Sequence, residues 1–248
     1  MKIKVINPNT TWSMTEKIGE AARRAASAGT EIVAVSPQMG PVSIEGHYDE
    51  AFAAVGVIDE VRKGEAEGCD GYVIACFGDP GLLAAREIAR GPVIGIAEAA
   101  MHAASLLGTG FSIVSMLERS RATMEHLVHA YGMERMCRSV RMTDLAVLEL
   151  EEEGSGAQDR VIEQCRLALA EDHADVILLG CGGMSDLMAR ITREIGAPAI
   201  DGVSAGVRFV EALVGLRLGT SKRQGYAPPL PKPYVGAFAG FSPLPAGG

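Results

Sequence analysis

The strongest constraint on this chain is that it repeats itself. The stretch VIACFGDPG (residues 73–81) returns in outline as VILLGCGGM (residues 176–184), and in each an apolar run ends on a cysteine that opens a glycine turn. Cys181 follows Cys76 by 105 positions (181 − 76), Asp175 follows Asp70 by 105 (175 − 70), Pro198 follows Pro92 by 106 (198 − 92) and Ser115 follows Asn7 by 108 (115 − 7). Four landmarks at nearly one offset describe an internal repeat. Short apolar runs also alternate with amphipathic segments. IKVIN leads to a helix over about 15–26, TEIVAV to a helix over about 49–67, and then comes GYVIACF. After GPVIGIAEAAMHAASLL the order restarts with FSIVSM, RSRATMEHLVHAYG, SVRMTDL, DRVIEQCRLALAEDH and DVILLGCGG. Strands alternating with helices point to mainly parallel pairing. The expected fold class is α/β, with two pseudo-symmetric lobes, each a mainly parallel sheet flanked by helices, and the active site in the cleft between them. The first lobe is expected from residues 1–96 plus 204–248, the second from 97–203.

Composition agrees. With 48% hydrophobic residues in 248, a large core forms without disulfide staples. Aromatics are only 5% while glycine reaches 30 residues, a balance suited to helices packed closely on parallel strands. A net charge of −8 offers no basic footprint, which argues against nucleic acid and anionic membranes and for a small-molecule partner. No apolar stretch reaches the ~18 residues of a membrane span, and MKIKVINPNT opens as a strand, without a signal-peptide pattern. The expected compartment is the cytoplasm, where five cysteines, an odd number, read as free thiols.

In open α/β sheets, ligands bind beyond the carboxyl ends of the strands. Cys76 and Cys181 both stand at such ends, so a pseudo-twofold axis would face them across one site. Singly, each reads as an ordinary core cysteine; at matched positions of a repeat they read as a pair. Two thiols on opposite sides of a flat substrate can remove a proton from one face of a carbon acid and deliver one to the other, inverting the centre. Backbone N–H groups of CFGDPG and CGGMS are expected to lower a thiol pKa and to stabilise a developing enolate oxygen. Cys69, Cys137 and Cys165 lack this setting, and Cys165 reads as core.

The motifs VINPNT, SIEGHYDEA, VIACFGDPGLLAAREI, GPVIGIAEAAMH, FSIVS, VILLGCGGM and PAIDGVSAGV resemble the aspartate/glutamate/hydantoin racemase superfamily, and within it the hydantoin and allantoin racemases, over nearly the whole chain to about Lys222. The resemblance implies a racemase without cofactor or metal, a homo-oligomer, and Cys76 and Cys181 as its two acid/base residues. In the amino-acid racemases of that superfamily the first cysteine is typically followed by Asn-Thr, which helps hold a carboxylate. Here Phe77 and Gly78 follow Cys76, and Gly182 and Gly183 follow Cys181. That difference favours a neutral cyclic ureide, a 5-substituted hydantoin or allantoin, held by backbone amides and by Phe77. The rivals are an amino-acid racemase, a decarboxylase or cis–trans isomerase of the same superfamily, and a non-catalytic binding protein.

Asn9 is expected to contact the ligand, or to serve only as a turn former. Ser115 is expected to meet a ring carbonyl or to cap the next helix. Ile44 lies in a segment expected to form a loop over the cleft; neighbouring Glu45 and His47 read as solvated. Glu98 is expected near the cleft, on ring N–H groups or merely at a helix N-terminus. His126 and His129 share a helix face without a third metal ligand and read as surface residues. The acidic run ELEEEGSG (149–156) reads as solvated. The tail after Lys222 holds six of the twelve prolines and reads as a surface strap without regular helix, ending in disorder; its PPLPKP also has the form of a polyproline ligand.

Overall fold

In the computed structural model, which describes residues 1–146, 149, 156–185 and 187–243, the two sequence halves adopt one topology. The first half runs β1 (Lys2–Ile6), α1 (Trp12–Ala25), β2 (Glu31–Val35), α2 (His47–Ala66), β3 (Gly71–Ile74), α3 (Leu82–Ile88), β4 (Val93–Gly95) and α4 (Ile96–Ala104). The second runs β5 (Phe111–Ser115), α5 (Arg121–Ala130), β6 (Cys137–Met142), α6 (Ala157–Glu171), β7 (Val176–Leu179), α7 (Met188–Ile195), β8 (Ala199–Asp201) and α8 (Gly202–Gly215). The sheets are ordered β2-β1-β3-β4 and β6-β5-β7-β8, and every pairing is parallel. The first two helices begin two or three residues earlier than periodicity predicts. For α1, the Asn9 side-chain oxygen accepts the Thr11 amide at 2.9 Å, preparing the chain for the helix ahead of its first apolar position.

Strand alternation divides the apolar side chains among three clusters. Ile3, Val5 and Val73 from one sheet meet Phe111, Ile113, Val176 and Leu178 from the other in a single central core, filled by α1, α4, α5 and α8. The opposite faces carry Ile6, Tyr72 and Ile74 under α2 and α3, and Ile177 and Leu179 under α6 and α7. With both faces of each sheet covered, the inner strands β1, β3, β5 and β7 are mostly apolar. Lys4 interrupts β1, and its buried ammonium is held 3.2 Å from both Glu60 and Glu67; unpaired, it would cost several kcal/mol.

The two helices that follow the last strand of each sheet pack on one another and reach both sheets. Their approach is close because Gly202 has no side chain: a Cβ there would lie 2.3 Å from the Ile96 carbonyl oxygen. The central core and this helix pair join the halves and fix the cleft.

Beyond α8 the chain forms the expected strap, with short 3-10 turns at Gln224–Tyr226 and Gly236–Phe241 in place of α-helix. Arg62 fastens it to α2, donating to the Gly240 carbonyl at 2.8 Å and lying 5.4 Å from the Phe241 ring centroid. Its expected disordered end, residues 244–248, and most of the acidic run, residues 150–155, lie outside the described residues.

Candidate active site

The carboxyl ends of β1, β3, β5 and β7 converge on one cavity, bounded by Asn7 and Asn9, by Ala75 to Gly78, by Ser115 and Met116, and by Gly180 to Gly182. Its volume of about 70 Å³ suits a small ring, being well below the ~300–1,000 Å³ of sites for drug-sized ligands. Both cysteines line it. Each sits in the same turn, the Cys76 carbonyl accepting the Asp79 amide at 3.0 Å and the Cys181 carbonyl accepting the Met184 amide at 3.1 Å. The loops touch across the cleft at Gly182, where a Cβ would stand 2.7 Å from the carbonyl oxygen of Ala75, the residue before Cys76.

A buried carboxylate anchors each loop. Asp79, in the left-handed conformation at φ 45°, fills the space a side chain on Gly95 would need. It accepts the Ala97 and Glu98 amides of α4 at 3.1 and 3.0 Å and the Tyr131 hydroxyl, beyond α5, at 2.7 Å. Asp201 caps α8 through the Val203 and Ser204 amides, both at 3.0 Å, and accepts from Ser185, whose hydroxyl also lies 2.9 Å from the Gly182 carbonyl. Helix N-termini favour negative charge, yet burial prevails at Asp79 and pushes its pKa up to about 7.

Burial prevails at the thiols too, and this corrects the expectation of lowered pKa values. The backbone amides of Gly78 and Gly183 do favour the two thiolates, but desolvation pushes Cys76 up to about 12 and Cys181 up to about 11. The charge of Cys181 further opposes ionisation of Cys76, so the pair resists carrying two thiolates at once. One acid and one base is the state that inversion needs. The pH dependence follows from the sign of the shift. Below a raised thiol pKa the thiolate fraction grows about tenfold per pH unit, so kcat/KM should climb through pH ~7 to ~9, past the ordinary thiol value near ~8.5. A pH–rate profile corrected for spontaneous racemisation checks this, and a plateau at or below ~8.5 would contradict it.

Asn9, Ile44, Phe77, Gly78, Ser115 and Gly182 all line the cavity beside the cysteines; Gly183 lies just outside it, its amide facing Cys181. The Asn9 oxygen is occupied by the Thr11 and Asn7 donors, while its NH₂ meets, among the described residues, the Met14 sulfur at 3.3 Å and is the group able to meet a ligand carbonyl. Ser115 does not cap a helix. Its hydroxyl donates to the Gly180 carbonyl at 2.8 Å, bracing the residue before Cys181, so it offers a ring lone pairs and not a proton. Glu98 is not among the residues lining the cavity; it stands in the first turn of α4 and its carboxylate is ion-paired with Arg86. His129 pairs with Glu134 at the surface, and among the described residues no cluster of three His, Cys, Asp or Glu is placed to hold a metal ion. Cys69 and Cys165 are buried in the outer clusters.

Sequence reasoning missed Met14, Met116, Thr123, Met124 and Glu50, all at the cavity. The three methionines belong to the hydrophobic core clusters as well as to the cavity wall. Glu50, in the first turn of α2, looks like an acidic residue favouring a helix N-terminus.

Residues 3–210 match the family described as Asp/Glu/Hydantoin racemase. The chain is 49% identical over 241 residues to a hydantoin racemase from Pseudomonas sp. (strain NS671), covering 97% of each chain. Its structure is similar to that of an allantoin racemase from Klebsiella pneumoniae, at a TM-score of 0.96 and 55% identity, covering 98% of this chain and all of that one. An allantoin racemase from Pseudomonas fluorescens gives a TM-score of 0.92 and 42% identity, covering 95% of this chain and 100% of that one.

Proposed function

Because the chain belongs to the Asp/Glu/hydantoin racemase family, we propose that Cys76 and Cys181 are the two proton-transfer groups of a racemase acting at C5 of hydantoin-type rings, 5-substituted hydantoins or allantoin. The observation that carries this reading is the placement of two cysteines, from equivalent strand ends of a repeated fold, at one small cavity. The thiolate of one takes the C5 proton. The C–H electron pair passes into the adjacent carbonyl as an enolate, and the thiol of the other returns a proton to the opposite face. Substrate leaves inverted, with thiol and thiolate exchanged. The raised pKa values serve this step, since a thiolate that binds its proton tightly is a stronger base toward a weakly acidic carbon. Asn9 is the side-chain donor that holds the ring and its developing oxygen charge, while the Gly78 and Gly183 amides serve the two sulfurs.

The cavity edge carries Glu45 and Glu50, whose charge repels a substrate carboxylate. Together with Phe77-Gly78 after Cys76, this disfavours free amino acids and decarboxylation substrates. The test is optical rotation of enantiopure allantoin and enantiopure 5-benzylhydantoin against enzyme-free controls. Loss of rotation faster than spontaneous for either supports the reading, and no acceleration for both overturns it in favour of a binding protein.

No helix among the described residues is long and apolar enough to cross a membrane, and all five cysteines are free, which supports action in a reducing compartment, the cytoplasm. The strap exposes Leu230 and Phe238, which border a common groove with Ala84 and Ile88 of α3, and this exposed apolar groove supports a homo-oligomer. Light scattering giving only the mass of one chain would count against that assembly.

A further inference from the structure

Glu50 holds a carboxylate beside the reacting thiol that the proton transfers do not use. Its side chain, 23% exposed, reaches from α2 over the loop after Cys76, so that a Cβ on Gly78 would be 2.8 Å from Oε1. Among the described residues its recorded ion-pair partner is His47, whose Nδ1 is 3.3 Å away on a side chain 77% exposed. Glu45, by contrast, accepts the Ser43 hydroxyl at 3.2 Å. A carboxylate near Cys76 opposes formation of the thiolate, a cost that a substrate-binding role explains.

The cavity is graded in burial. Asn9, Phe77, Ser115 and Gly182 are buried, whereas Ile44, Glu45, Gly46 and Glu50 are half-buried. That half-buried edge is the open side of the cavity, the side on which a ring whose C5 lies between the two sulfurs has room for a C5 substituent. Resting on the racemase reading above, we propose that Glu50 is a specificity-determining residue that accepts N–H groups of the C5 substituent, making a ring with a ureido group at C5 the preferred substrate over 5-alkyl and 5-aryl hydantoins. An ionised carboxylate only accepts hydrogen bonds, and its two oxygens match the paired N–H donors of a urea. An alkyl or aryl group would cover the carboxylate without replacing its hydration.

The test measures kcat/KM for racemisation of enantiopure allantoin and enantiopure 5-isobutylhydantoin with the unmodified protein, Glu50→Leu and Glu50→Gln. Sites that hydrogen-bond a substrate group discriminate by up to ~10⁴–10⁵ when closed; for this partly open one, the allantoin-to-isobutyl ratio should fall about 30-fold in Glu50→Leu. Glu50→Gln, which keeps one acceptor oxygen and nearly the same volume, should lower the ratio by less, and it carries the test if the leucine variant does not fold. A ratio within about threefold of the unmodified value in both variants overturns the proposal, including the case in which both rates move together because Glu50 only tunes Cys76. Failure of the racemase reading itself is seen separately, as an unmodified protein that racemises neither compound.

Discussion

Replacing either Cys76 or Cys181 by serine should lower kcat/KM for racemisation by about 10³-fold or more, near the upper end of the ~10²–10⁴ that positioned acid–base groups supply and equivalent to about 4 kcal/mol of barrier. Serine is nearly isosteric, so the loops keep their turns, but its hydroxyl yields a proton far less readily than a thiol. The two losses should be alike because inversion needs both groups. The partial reactions should differ. With Cys181 intact, the Cys76→Ser protein should exchange the C5 proton of the one enantiomer that presents it to Cys181, and the Cys181→Ser protein should exchange only the other. Full racemisation by both single variants would exclude the two-thiol account. Thermal unfolding of both variants should stay close to that of the parent, since neither sulfur holds the loop by itself.

The second large effect is expected at Gly182, where the halves touch. An alanine methyl would sit 2.7 Å from the Ala75 carbonyl oxygen, and that backbone is already fixed by the Ala75 amide donating to Ile6 at 2.8 Å. The loops must separate, carrying Cys181 away from Cys76. Misplacement on the scale of 1 Å costs about 10²-fold in rate, and overpacking of this kind costs about 1–3 kcal/mol in stability. Gly183→Ala separates the two causes. Its Cβ would meet the Cys181 sulfur at 3.7 Å and Met14 at 3.8 Å, ordinary contacts, so its stability should change by no more than about 0.5 kcal/mol. Denaturation midpoints measured beside steady-state rates check both statements. A Gly182→Ala protein with parental rate and stability would mean that the loop contact is not needed.

Much of this architecture was legible because a repeat constrains sequence at many places together. Offsets of 105, 105 and 106 relate Asp70 to Asp175, Cys76 to Cys181 and Pro92 to Pro198, and each pair falls at the same point of the same strand order. The thiols were legible for the same reason. What stayed hidden depends on contacts between the halves. Asp79 looks like a turn residue in GDPG, and only the fold shows its carboxylate filling the space above Gly95 to cap α4. Glu98 lies close to the cleft in sequence, but it does not line the cavity and its carboxylate is ion-paired with Arg86. The raised thiol pKa values were missed because loop amides can be read from glycines, whereas desolvation depends on everything that closes around the sulfur. Glu50 was missed because helix position gives no sign of which cavity a side chain reaches.

The most direct test of two opposed thiols is where deuterium appears early in the reaction of enantiopure allantoin in D₂O. If one cysteine removes the C5 proton and the other supplies a solvent-equilibrated deuteron, the first product enantiomer should carry deuterium at C5 while unreacted substrate keeps its protium. Deuterium entering both enantiomers equally from the start would show a single group serving both faces and would contradict the assignment of Cys76 and Cys181.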